Sequence, residues 1–320
     1  MAGYGTLSRI ADERDGACAI LCFLSDTDCG CACEMNISVE QQHGGFAAEA
    51  LSALLARQPT EKVVQVRALR CTDAVRISLL PCPGIPGRPD RPELVAPKKL
   101  PRRRALSTPA GRFALLHALA HIEFNAINLA LDAICRFVDL PVDYYRDWLQ
   151  VAQEEAEHFV LLRELLQALG GDYGDLPAHD GLWEMAMETA TDPLERMALV
   201  PRVLEARGLD VTPAIRERLR EAGDLVAVAV LERIERDERG HVAIGTHWFH
   251  YLCAQRGLDA DHTFRKLLEE RYRGRIQGPL ALDARRAGGF SETELRWLQA
   301  CIDQNPAPPG NQHVEKTRHV

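Results

Sequence analysis

The sequence predicts an all-α protein built around a four-helix bundle, with additional N- and C-terminal helices. Three observations carry that prediction. Apolar residues recur at helical spacing through several long stretches, no run of useful length alternates as a strand would, and two Glu-x-x-His motifs fall inside two of the long helical stretches. At 320 residues, 46% of them apolar, the chain can bury the core of one large domain or two small ones. No stretch reaches the run of about 18 uncharged apolar residues that a membrane span needs. The net charge of −8 argues against a general nucleic-acid coat protein.

Taken in order, residues 1–34 hold five of the ten cysteines, including the C-x-C-x-C run Cys29, Cys31 and Cys33. That spacing lacks the paired C-x-x-C of a zinc site. The apolar patch 17–24 follows an acidic segment, which is not how a secretory signal begins. Reduced thiols in a cytoplasmic protein are therefore expected. Met35 reads as a natural start, with 1–34 a disordered extension. Segment 35–80 carries Phe46, Ala47, Ala50, Leu51, Leu54 and Leu55 at helical spacing, one or two short helices broken at Pro59. Segment 81–106 is a proline-rich connector, since seven prolines between 81 and 101 disfavour helix. It ends in Lys98, Lys99, Arg102, Arg103 and Arg104, read either as a solvated basic arm or as an RNA or phosphate contact.

Residues 107–257 are expected to form the bundle. Helix one runs over about 108–138, with Leu115, Leu116, Leu119, Ile122, Ala126, Leu129 and Ile134 as its apolar stripe. Helix two runs over about 142–169, between Pro141 and the stop Gly170-Gly171. A loop and a short helix near 181–190 follow. Helix three is expected from Asp192-Pro193 to about Gly208, kinked at Pro201. Helix four is expected from Thr212-Pro213 to Cys253, with a break near Gly223-Asp224. Residues 258–302 form a C-terminal helical segment, and 303–320 a disordered tail.

The chemistry lies in the bundle. Glu155-Ala-Glu-His158 falls in helix two and Glu238-Arg-Gly-His241 in helix four. Residues at i and i+3 share a helix face, so each pair presents a carboxylate and an imidazole to one point. Glu123 and Glu205 stand in otherwise apolar settings on helices one and three, 32 and 33 residues ahead of the paired glutamates. The order Glu, ExxH, Glu, ExxH is the ligand set of ferritin-like dimetal carboxylate bundles. Four carboxylates offset two divalent cations, two neutral imidazoles complete the coordination, and open positions remain for dioxygen. Burying such carboxylates unpaired costs several kcal/mol each. One Glu-x-x-His is expected by chance, and Glu40-Gln-Gln-His43 is a third instance with no bundle partner.

Around these, His117 and His121 read as neighbours of the site, as substrate-facing groups or as satisfied core histidines. Asp237 is placed to hold an imidazole of a neighbouring helix. Arg207 reads as a partner of a ligand carboxylate or a helix-end residue, His247 and His250 as structural or exposed. Tyr144 and Tyr145 fit packing better than a radical site. The turn 177–183 reads as lining an entrance, or else its His179 caps the next helix.

The motifs His117-Ala-Leu-Ala-His-Ile-Glu123, Glu154-Glu-Ala-Glu-His158, Gly174-Asp-Leu-Pro-Ala-His-Asp-Gly-Leu-Trp183, Pro201-Arg-Val-Leu-Glu-Ala-Arg-Gly-Leu-Asp210 and Arg236-Asp-Glu-Arg-Gly-His241 resemble the domain-of-unknown-function 455 (DUF455) family of ferritin-like proteins. The resemblance runs from about residue 40 to 300 and includes Gly278-Pro-Leu and Gly289-Phe-Ser; residues 1–34 lie outside it. It implies a ferritin-like core with a dimetal centre on Glu123, Glu155, His158, Glu205, Glu238 and His241. Two iron ions are the expected cofactor, with manganese or a mixed manganese–iron pair as alternatives, and O2 as co-substrate.

The expected function is an O2-dependent oxidoreductase, a hydroxylase or oxidase, acting on a small molecule or a modified nucleoside and served by an electron-donor protein. Two other readings stand beside it: a ferroxidase or metal-handling protein without an organic substrate, and a tRNA-modifying hydroxylase gripping RNA through 98–104 and through Arg271, Arg273, Arg275, Arg285 and Arg286. A homodimer is compatible with all three.

Overall fold

Local signals set the first helix of the core. Thr108 accepts a hydrogen bond from the Gly111 amide at 3.1 Å and Pro109 supplies a preset φ, so this helix, Pro109–Arg136, starts where an orphan donor of its first turn is satisfied. The computed structural model describes residues 45–72, 84–100, 105–272 and 276–304. All belong to the unit Gln42–Val320. The cysteine-rich extension, the motif ending at His43, Arg102, Arg103, Arg104, Arg273, Arg275 and the C-terminal tail lie outside the described residues.

Among the described residues the protein is all-helical, with one isolated β-bridge between Leu94 and Ala178. The elements are α1 (Phe46–Leu55), α2 (Pro59–Ala68), α3 (Pro109–Arg136), α4 (Val142–Ala168), α5 (Gly181–Glu188), α6 (Pro193–Leu199), α7 (Ala206–Glu221), α8 (Leu225–Gln255), α9 (Ala260–Arg271), α10 (Leu282–Ala287) and α11 (Glu292–Gln304). A π-helical turn, Val200–Glu205, joins α6 to α7. The short connection between α3 and α4 makes them a helical hairpin with the most extensive packing among the described elements. α7 and the π turn pack on α8, and α4 meets α8. By length and composition α3 could cross a membrane, which the sequence reading did not anticipate; it is instead mostly buried inside the protein.

Two expected boundaries are corrected. The third helical stretch does not end near Gly208 but runs on through Pro213 to Glu221, and the next begins at Leu225 rather than at Thr212-Pro213. Thr-Pro resembles a helix start, but packing against α8 holds that segment helical. The real boundary is Gly223, whose φ of +77° ends α7, followed by Asp224, which caps the Ala227 amide at 3.1 Å. The expected kink at Pro201 takes the form of the π turn.

The described part of the proline-rich connector is a strap tied by backbone hydrogen bonds. The Gly87 amide donates to the Leu54 carbonyl at 2.8 Å, an approach so close that a Cβ there would fall 2.1 Å from the Leu55 oxygen. The Val95 amide donates to the Ala178 carbonyl at 2.8 Å, and the Ala178 amide donates back to the Glu93 carbonyl at 2.9 Å. Arg88 grips Asp180 through two bonds of 2.7 and 2.6 Å. At the other end, buried Arg202 of the π turn holds Glu294 of α11 at 2.7 Å and lies over the rings of Phe249, Phe264 and Phe290.

Candidate metal centre

Four helical segments bring the candidate ligands inward: α3 carries Glu123, α4 Glu155 and His158, the π turn Glu205, and α8 Glu238 and His241. Glu123, Glu155, His158 and Glu238 each offer one ligand atom, and these atoms all lie within 4.8 Å of one another. Glu155, with no exposure, stands between the two imidazoles. Its Oε2 is 3.3 Å from His158 Nδ1, and its Oε1 is 3.0 Å from His241 Nδ1. Glu123 Oε2 lies 3.5 Å from His158 Nδ1, and Glu238 Oε2 lies 3.5 Å from His241 Nδ1. His241 and Glu205 stand outside that group of four: His241 meets it through Glu155 and Glu238, and Glu205 lies on the cavity side, where it and the charges of Glu238 and Glu155 act on one another.

The far nitrogen of each ring is tied down. His158 Nε2 donates to Asp237 at 3.1 Å, and His241 Nε2 donates to Glu154 at 2.7 Å. Carboxylates only accept here, so each Nε2 carries a proton and each Nδ1 is the atom left for the centre. Asp237 does what its position suggested; Glu154 was missed. The signal was present in the sequence. An acid precedes each Glu-x-x-His, and Glu154, Glu155 and His158 stand 83 residues ahead of Asp237, Glu238 and His241.

The electrostatics are those of a crowded acidic cluster. Burial, the Glu155 charge and hydrogen bonding to Glu155 raise the Glu123 carboxyl well above its usual range, against hydrogen bonding from His158. Burial and the charges of Glu238 and Glu155 push Glu205 up to about 8. Glu238 is raised by burial and by Glu155. For Glu155, burial opposes ionisation, but the His241 charge and hydrogen bonds from His158 and His241 overcome it and hold the carboxyl down. Burial likewise opposes charge on His158, yet hydrogen bonds to Glu123 and Glu155 raise it to about 11. His241 is raised against burial by Glu155, Glu154 and Glu238. Without a cation, protons on these groups balance the acid charge.

A cation fits this donor set. Glu123 Oε2, Glu155 Oε1, Glu205 Oε2, Glu238 Oε2 and His241 Nδ1 are buried with no well-aligned hydrogen bond, even where carboxylate and imidazole approach within 3.0 to 3.5 Å. Such orphaned acceptors are costly unless something binds them. All oxygens and imidazoles, with no thiolate, they suit a first-row divalent metal.

A mostly apolar cavity of about 250 Å³ opens on the glutamate side of the cluster, lined by Glu123, Glu205 and Glu238 together with apolar residues of α3, α7 and α8. The turn 177–180 forms part of its wall. His179 serves both expected roles, lining the cavity and accepting the Gly181 amide at 3.1 Å. His121 also lines the cavity, donating from Nε2 to the His179 carbonyl and accepting at Nδ1 from the Tyr173 hydroxyl, both at 3.0 Å. Burial lowers its pKa to about 4 and keeps it neutral. His117 instead accepts the Gly174 and Leu176 amides. Arg207 pairs with no candidate ligand; it donates to the carbonyls of Gln277, Gly278 and Pro279. Tyr144 is buried against Trp148 and Trp248 at the α3–α4 turn, Tyr145 is buried edge-on against Tyr144 and donates to the Phe137 carbonyl, and His247 and His250 are exposed.

Residues 53–296, from within α1 to within α11, match the family described as "Protein of unknown function (DUF455)". The chain belongs to the DUF455 family. The DUF455 span contains all six acidic and imidazole residues of the cluster, Glu154, Asp237 and every residue of the cavity wall. An "Uncharacterized protein" of Haemophilus influenzae is 48% identical over 241 residues, covering 73% of this chain and 83% of the relative. No solved structure matches.

Proposed function

We propose that this DUF455 protein is a ferritin-like dimetal oxidoreductase, a di-iron hydroxylase or oxidase that uses O2 on an organic substrate. The observation that carries the reading is Glu155 between two imidazoles, each with Nδ1 turned inward and Nε2 anchored to a carboxylate. Glu123, Glu155 and His158 would hold one metal and Glu205, Glu238 and His241 the other, with Glu155 and Glu238 available to both. Bound reduced iron supplies the electrons that activation of O2 requires. The chain's own residues do the rest. Asp237 and Glu154 fix the orientation of the rings, neutral His121 holds the cavity wall, and the apolar lining excludes water from the glutamate side.

The cavity favours this reading over metal handling alone, because ion oxidation or storage needs no apolar chamber beside the glutamates. The RNA reading has less support. Arg285 is buried against Asp210, Arg271 is paired with Glu195, and Arg286 with Asp283 and Glu292. Exposed Lys98 and Lys99 remain available.

Anaerobic iron(II) loading followed by oxygen tests the proposal. About two irons per chain should bind, and oxygen should produce a change in iron absorbance that Glu238→Ala removes. Failure to bind iron, or a Glu238→Ala variant indistinguishable from wild type, would reject it. Iron oxidation with no organic co-substrate consumed under any condition would turn the assignment to metal handling.

A further inference from the structure

The cavity beside the cluster holds a helical glycine with no packing reason to be one. Gly208 lies within α7, where glycine is the poorest helix former after proline. A Cβ built on it meets no atom within 4 Å. Gly208 lines the cavity along with Glu205, Val211 and Thr212 of the same helix. A side chain there would subtract directly from the space next to Glu205. What the glycine preserves is room.

Arg207 stands beside it, on the wall shared with a second cavity of about 510 Å³ that reaches Tyr272, Gln277 and Leu280. Its guanidinium has carbonyl partners, but the nearest carboxylate is already committed. Asp210 accepts from Arg285 at 3.0 and 2.7 Å and from the Ala281 amide at 2.8 Å, so the longer bond it takes from Arg207, at 3.4 Å, is shared with a second guanidinium. The Arg207 side chain retains 34% exposure. Carbonyl dipoles orient the guanidinium, and a carboxylate that also serves Arg285 offsets only part of its charge. An apolar chamber therefore ends at a partly exposed cation.

We propose that these two cavities bind a small amphiphilic acid, its hydrocarbon group in the chamber next to Glu205 and Glu238 and its carboxylate or phosphate on Arg207. The hydrocarbon end gains by leaving water, and the anion finds a planar donor suited to either oxyanion. Calling this molecule a substrate rests on the oxidoreductase reading above; its binding does not.

Calorimetric titration of the full-length protein, with and without anaerobic iron(II), tests this with octanoate, octyl phosphate, 1-octanol and octylamine. One or both anions should bind, and the tighter one identifies the oxyanion. 1-Octanol should bind about 10-fold more weakly, the worth of a charge-assisted hydrogen bond, and octylamine more weakly still. Arg207→Gln should erase the preference for acid over alcohol, and Arg207→Lys should keep part of it. Gly208→Leu should abolish binding of every probe while the thermal midpoint holds or rises, which separates cavity filling from misfolding. Equal affinity for octanol and octanoate, retained octanoate binding in Gly208→Leu, or no binding of any probe would overturn the proposal. Octanoate binding that depends on both residues in a protein that takes up no iron would uphold it and reject the metal reading instead.

Discussion

At the residue scale, the candidate metal centre depends on atoms one step removed from it. A histidine presents a usable Nδ1 only if its ring is held and its other nitrogen keeps the proton. Glu154 does this for His241 at 2.7 Å and Asp237 for His158 at 3.1 Å, from opposite helices. Removing the acceptor frees the ring to rotate and lowers its basicity. Glu154→Ala is accordingly expected to weaken iron binding by about 10- to 100-fold, measured by competition with a chromophoric chelator. Glu157→Ala, which removes only the pair with Arg67, should leave iron affinity unchanged. Equal affinities in wild type and Glu154→Ala would show that the ring needs no such anchor. The acids preceding each Glu-x-x-His were visible as residues from the start. That they reach across to the other motif's histidine was not, because no local spacing specifies which helices meet.

At the scale of elements, the π turn is what puts Glu205 on the cavity wall. An extra residue per turn rotates the downstream face, so Glu205 and Gly208 are aimed together at the space between α3 and α8. The sequence marked this place only as a proline expected to kink a helix. The close approach of α8 that accompanies it depends on Gly245, one turn past His241. A Cβ at Gly245 would sit 2.3 Å from the Pro201 ring. Gly245→Ala should destabilise the protein by about 1–3 kcal/mol, as overpacking of a core usually does, and should reduce iron uptake as α8 is displaced. Gly240→Ala is the control on the same helix. A Cβ there meets nothing within 4 Å, so helix propensity alone should leave stability unchanged or raise it by up to about 1 kcal/mol. Urea midpoints of the two variants decide the matter; equal effects would mean that the π turn and α8 separate without strain.

At the scale of the whole molecule, the cluster links folding to pH. Glu205, raised from 4.5 to about 8 by burial and by the charges of Glu238 and Glu155, binds its proton more tightly in the folded state. Folding gains that proton's contribution at low pH and loses it as pH climbs from 4.5 through 8. For His158, raised from 6.5 to about 11, the contribution is complete below 6.5 and lost as pH rises towards 11. Glu155 is held low and stays ionised throughout. Between pH 6.5 and 8 the two changing contributions fall together, so the metal-free protein should lose stability over that range. Iron bound as proposed would displace these protons, so its affinity should rise with pH and loaded protein should show a flatter profile. Denaturation of chelator-treated and iron-loaded samples at pH 6.5, 7.2 and 8 checks this; a metal-free protein most stable at pH 8 would contradict it.

What the sequence determined by itself were the features carried by periodicity and short spacing: the all-helical class, the starts and stops of α3 and α4, and the facing of Glu with His within each motif. Those follow from 3.6 residues per turn and from capping, which are local physics. Tertiary structure decided the rest. Helix three ran past Gly208 and Pro213 because packing on α8 outweighed weak propensities, and the basic connector became a strap because its backbone found partners at Leu54 and Ala178. Arg285 read as a phosphate grip on the surface, yet it lies buried on Asp210, since charge type does not say which way a side chain faces. The cavity belongs to no single segment. It exists because four helical segments meet around four glutamates and leave, beside Gly208, a space that no neighbour fills.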